Sequence, residues 1–265
     1  WRASWKGTIS MPGCPMALCL AAMVWVARGS LRNAERDVDA AIAALAGDPG
    51  IIDRSPVVAV YWLKGLLCLS RDDVDQALEY FRRELALEER GHLYARECCA
   101  NAWYATAVCL MRRGDDAGAR TACMEAFARV PGHPMAQVCV EILDGLRDGP
   151  AARLHGETEE GLRGGPAARL HGETEDGLRD GSAGRLYGET AKDDGRLVME
   201  RVMATAARLV VAGDAVAAAR ITAAAIAAAP PGSAGWIVAI EPTIGVHRSE
   251  DAWAGVLGVV RDRAR

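Results

Sequence analysis

In the stretch 101–136, NAWYATAVCLMRRGDDAGARTACMEAFARVPGHPMA, apolar positions fall at helical spacing in two blocks divided by a polar turn. Trp103, Ala107 and Leu110 lie four and then three residues apart and so share one helix face; Ala119, Cys123 and Ala126 do the same after the break. Gly114 suits a left-handed turn residue between the blocks, and Pro131 stops the second. Small Ala107 and Ala119 allow the two helices to approach closely. The pattern predicts a helical hairpin.

The same order of residues returns elsewhere. Around 58–88 it is carried by Tyr61, Gly65, Cys68, Asp72, Ala77 and Phe81, with Asp72 where the turn glycine stands in the first copy and Glu84 in place of the last small residue. Upstream, Leu18, Ala22, Trp25, Gly29, Ala34, Val38 and Ala41 fit, although the loop AGDPG arrives late. Downstream, Val202, Ala206, Leu209, Gly213, Ala218, Thr222, Ala225 and Pro230 fit well.

This spacing of large, small, Gly, small, small and Pro positions resembles the tetratricopeptide repeat. The resemblance implies an all-α fold, a helical-hairpin solenoid in which each hairpin buries its apolar face against the next and leaves a concave groove. It divides the chain into an N-terminal segment 1–15, three hairpins over 16–142, a low-complexity linker over 143–196, a fourth hairpin over 197–232, and a loop with a capping helix over 233–265. By similarity the first helix of each hairpin lines the groove with Cys19, Met23 and Val26, then Trp62, Leu66 and Leu69, then Tyr104, Val108 and Met111, then Met203, Ala207 and Val210. The charged groove that clamps a peptide carboxylate is not matched, since only Asn101 and Arg112 are candidates for it. An apolar, Met-containing groove suits an amphipathic or extended apolar segment. The partner-binding residues expected are therefore Trp62, Leu66, Asn101, Tyr104, Val108, Met111 and Arg112, serving a protein-interaction scaffold or adaptor. The alternatives are that these side chains pack on another part of the same polypeptide, or that the chain is a regulatory or sensor region of a larger bacterial signalling enzyme or transcription regulator.

The linker interrupts this scheme with GPAARLHGETEEGLRG at 149–164, a near-identical copy at 165–180 and a decayed third, GSAGRLYGETAKDDGR. Leucines at 146, 154, 162, 170, 178 and 186 recur every eight residues, which spirals them around a helix and builds no apolar stripe. Glycines and two prolines weaken any strand. One large apolar residue in eight does not offset roughly 1–2 kcal/mol of ordering entropy per residue, so a mobile linker without an essential role is expected. The histidines at 155 and 171 are poor metal ligands without preorganisation.

Composition agrees with helices: 51% of residues are hydrophobic, only 5% are aromatic, and Ala dominates the apolar runs. A net charge of -4, with no run of five like charges, provides no footprint for nucleic acid or an anionic membrane. The apolar run at 16–27 is too short to span a bilayer and fits the first hairpin better than a secretion signal. Because the sequence starts at Trp1, a fragment or an uncertain start is expected, and the C-terminal passage, which resembles the ending of repeat regions that follow effector domains in bacterial signalling proteins, adds packing on a missing upstream domain as an alternative.

The eight cysteines show no zinc-ligand spacing and read as small buried hydrophobes of a reducing, cytoplasmic setting. Cys98 and Cys99 beside His92 are the weak candidates for a thiol sensor. No nucleophile elbow, phosphate loop, dinucleotide fingerprint or zinc-protease motif occurs, so no catalysis, cofactor or metal is expected. At the C-terminus Ser249 is placed to cap a last helix whose Trp253, Val256, Leu257 and Val260 share a face.

Overall fold

The computed structural model describes residues 14–48, 50, 59–90, 95–145, 192–230 and 235–265, with side chains from 199 onward in the fourth of these segments after the first. The sixteen-residue copies, and with them the expectation of a mobile linker, lie outside the described residues up to 191. So do His92 and the N-terminal segment up to residue 13.

The described chain is all-α. Helices α1 (Pro15–Ala27) and α2 (Leu31–Gly47) form a first pair, α3 (Val60–Leu69) and α4 (Val74–Leu85) a second, and α5 (Ala95–Arg112) and α6 (Asp116–Arg129) a third. Helix α7 (Pro134–Leu143) follows alone and packs on α8 (Lys192–Val211), which pairs with α9 (Ala215–Ala228). Helix α10 (Glu250–Arg263) lies on α9. Helix α8 begins at Lys192, ahead of the hairpin start expected at 197.

One local rule builds all four pairs. After α1, α5 and α8 the chain turns through Gly29, Gly114 and Gly213 at φ 73°, 74° and 90°, and after α3 the same place is held by Asp72 at φ 59°. In each turn this residue donates its N–H to a carbonyl three back, and the next residue donates to one five back, as Gly114 to Met111 and Asp115 to Leu110. These bonds satisfy the last carbonyls of the first helix. The residue after the turn then starts the second helix. Asp73, Asp115 and Asp214 each accept the backbone N–H three residues on, at 3.2, 2.9 and 2.8 Å.

Within each pair the small positions lie at the contact. Ala22, Ala34, Ala107, Ala119, Ala206 and Ala218 are all fully buried. In the second pair Gly65 does this work, its backbone passing directly beneath the Phe81 ring. Glu84, which breaks the small-residue pattern, is buried and accepts the N–H groups of Ala59, Tyr61 and Trp62 at 2.7, 3.1 and 3.1 Å. Its carboxylate caps the start of α3, where Ala59 takes a left-handed φ of 66°. Burial pushes this carboxyl up while the three donors pull it down.

Charged side chains join neighbouring pairs. Lys64 on α3 reaches Glu35 and Asp39 on α2 at 2.8 and 2.7 Å. Arg208 on α8 meets Glu141 on α7 through two bonds of 2.6 and 2.9 Å, tying together the helices on either side of 146–191.

The last segment departs from the stacking order. After α9 the chain returns to the middle of the helices as two 3₁₀ turns, Trp236–Ile240 and Val246–Arg248, before α10 begins. Among the described residues there are two apolar cores: Ile240 belongs to the one formed by α1 to α5, whereas Val238, Ile244 and Val246 belong to the one formed by α5 to α10. Helix α10 covers α9 with Trp253, Val256 and Val260, as its sequence face predicts. Ser249 precedes it but makes no side-chain cap bond, and Arg263 instead donates to the final carbonyls of α9. The end of α10 also touches the first turn, where Arg28 Nε donates to the Ala264 carbonyl at 2.9 Å.

Candidate functional site

The seven residues expected to line the groove lie on α3 and α5, and the chain's own segment 236–243 runs across them. Trp62 meets Trp236 edge to face, with ring centroids 6.2 Å apart and planes at 88°. The Tyr104 hydroxyl donates to Glu241 and also bonds Thr243. Arg112 donates to the Pro242 carbonyl at 3.0 Å, to Leu69 O at 3.1 Å and to Asp72 Oδ1 at 2.9 Å. The two polar candidates therefore have partners within the chain. Asn101 donates to Glu97 O at 3.0 Å and meets His133 Nε2 at 3.1 Å.

Glu241 is the centre of this crossing. It is buried, and besides Tyr104 it accepts the N–H groups of Thr243 and Ile244 at 3.0 and 2.8 Å. Burial pushes its carboxyl above the usual carboxylate range, against the pull of those donors and of Arg112. Burial, and then the Glu241 charge, hold the Tyr104 phenol well above its usual range. Burial and the nearby Arg248 charge lower Arg112. Sequence reasoning assigned 233–249 to a loop and missed Glu241, whose partner Tyr104 stands 137 positions away.

Segment 236–243 divides the expected groove into two spaces. On one side Trp62, Leu66, Asn101 and Tyr104 border a cavity of about 180 Å³, closed by Ile237 and Pro242. On the other, Val108, Met111 and Arg112 border a cleft of about 870 Å³. The far wall of the cleft is formed by Ile142 and Leu143 of α7 and Val210 and Val211 of α8. Its rim carries Arg112 and Arg248 together with Asp72 and Asp116.

Cys98 and Cys99 lie where burial disfavours the thiolate. Burial pushes Cys98 and Cys99 up to about 12, which keeps them protonated at neutral pH and opposes the sensor alternative. Among the described residues no group of His, Cys, Asp and Glu is arranged to hold a metal ion, and no helix is long and apolar enough to cross a membrane. No family model, curated protein or solved structure matches the chain.

Proposed function

We propose that this chain is a non-catalytic protein-interaction scaffold, a TPR-like helical solenoid that docks an apolar or amphipathic segment of a protein partner. The shared turn and the buried small residues of the four pairs support the repeat reading. The observation that carries the function is the cleft of about 870 Å³, with an apolar floor of Val108, Met111, Ile142, Leu143 and Val210. A segment laid there places its apolar side chains on the floor and its main-chain polar groups against the charged rim. Docking is on the Val108 and Met111 side, because segment 236–243 covers Trp62, Leu66 and Tyr104. A reducing, cytoplasmic setting is supported by eight cysteines that are all unpaired.

A photo-crosslinking residue at position 111 of the full chain, exposed to extract of the native cell, tests this reading. Position 124 on the outer face of α6, where Met124 is 64% exposed, is the control. A protein captured from 111 but not 124, whose capture fails when Val211→Glu is added to a chain that remains helical, is the expected result. The same capture from both positions, or none from either, would overturn the cleft as the docking surface.

A further inference from the structure

Helices α4, α6 and α9 begin on an aspartate cap, whereas α7 begins on a histidine. Within the sequence PGHP, Gly132 turns the chain at φ 72°, Pro134 opens the helix with no N–H to satisfy, and His133 Nδ1 accepts the Ala136 N–H at 3.2 Å. That is the bond Asp73, Asp115 and Asp214 make to the residue three positions on. Because Nδ1 accepts, the ring proton is on Nε2, which lies 3.1 Å from Asn101 Oδ1 on α5. One neutral imidazole both caps α7 and ties its start to α5.

The two kinds of cap answer acid differently. A carboxylate keeps its charge well below neutral pH, and that charge suits a helix N-terminus, whereas an imidazole in water takes up a proton near pH 6.5. A proton on Nδ1 sets a second donor against the Ala136 N–H and puts a positive charge at the helix start, where the dipole opposes it. Little water reaches the ring to solvate that charge, since His133 is 6% exposed and lies against the Tyr104 ring with centroids 5.7 Å apart. Glu97 on α5, Glu200 on α8 and Glu241 in segment 236–243 border the same space. Glu241 accepts from Tyr104, Thr243 and Ile244, and Arg129 at the end of α6 pairs with Glu88 and Glu125. Burial lowers the His133 pKa and outweighs the pull of Glu200 toward the cation. The folded ring therefore takes its proton at lower pH than the opened one. The cap is fully present above about pH 6.5 and is lost as the pH falls below that value.

We propose that His133 is a pH-sensitive latch: protonation of Nδ1 breaks the cap on Ala136 and releases the first turn of α7 from α5. The far end of α7 is held by other bonds, Glu141 to Arg208 and Arg120 to the Leu143 carbonyl and Asp144, so release is confined to the start of the helix. The latch stands whether or not a protein docks in the cleft.

Amide exchange in the ¹⁵N-labelled full chain at pH 7.5 and 5.5, each rate divided by that of an unstructured amide at the same pH, reads the latch at Ala136. The buried Ala217 amide, capped by Asp214 at 2.8 Å, is the control. Protection at Ala136 should fall roughly 3- to 10-fold between the two pH values, as expected for one proton taken up on opening, while protection at Ala217 holds. His133→Asn keeps a capping oxygen but removes the titrating nitrogen, so in this variant protection at Ala136 should hold as well. Unchanged protection at Ala136, an equal fall at Ala217, or a fall of the same size in His133→Asn would each overturn the proposal. The comparison of Ala136 with Ala217 needs only the unaltered chain, so it decides the matter even where the variant fails to fold.

Discussion

Gly65 has no room for a β-carbon. One built there stands 2.4 Å from Phe81 Cε1 and within 3 Å of two further ring atoms, and the fully buried ring has nowhere to move. Gly65→Ala should therefore destabilise the chain by about 1–3 kcal/mol in urea unfolding, as overpacking does. Gly255→Ala on α10 meets nothing within 4 Å and should stabilise by roughly 0.5–1 kcal/mol. Equal effects at the two positions would remove the close approach of α3 and α4 from the account. At this scale some residues were legible in the sequence. Asp72 sits in register with three turn glycines, and it takes their left-handed conformation. Glu84 was legible only as a break in the pattern, because the backbone groups it caps belong to a helix that starts more than twenty positions earlier.

The helix pairs owe their sharp beginnings and ends to a few residues around each turn. Asp115 accepts the Gly118 N–H at 2.9 Å, so Asp115→Ala should cost about 1 kcal/mol and lower the melting temperature by a few degrees. Ser30 holds the equivalent place before α2 but makes no cap bond from its side chain, and Ser30→Ala should change stability by less than about 0.5 kcal/mol. Equal losses at both positions would show that the shared turn, rather than the aspartate, sets the helix start. The pairs were readable because their contacts are local: a spacing of three and four residues, a turn residue and a small residue specify a hairpin. Helix α10 was readable for the same reason, through its single apolar face. Its cap was not, since Ser249 makes no side-chain bond and Arg263 acts on another helix.

For the whole molecule, the decisive feature is the passage of 236–246 through the middle of the helices. Its apolar residues come as one unbroken run, WIVAI, and two separate positions, Ile244 and Val246, which show neither a helical nor a strand period, and Gly235, Pro242 and Gly245 read as loop punctuation. Nothing local announces that Ile240 completes one core and Ile244 the other. The expected groove residues lie on α3 and α5, while the segment that covers Trp62, Leu66 and Tyr104 comes from the far end of the chain. Two spaces follow from this arrangement: the cleft at Met111 and the smaller cavity at Trp62 are separate because Pro242 and its neighbours lie between them.

Hydrogen exchange of the full chain, followed by mass spectrometry on peptides spanning 236–246, tests that arrangement most directly. The Ile244 amide is buried and bonded to Glu241, so this stretch should exchange as slowly as the core of α5 and open with it. Exchange within seconds, while α5 stays protected, would contradict the account: the segment would then lie outside the helices, and the groove over Trp62, Leu66 and Tyr104 would be open along its length.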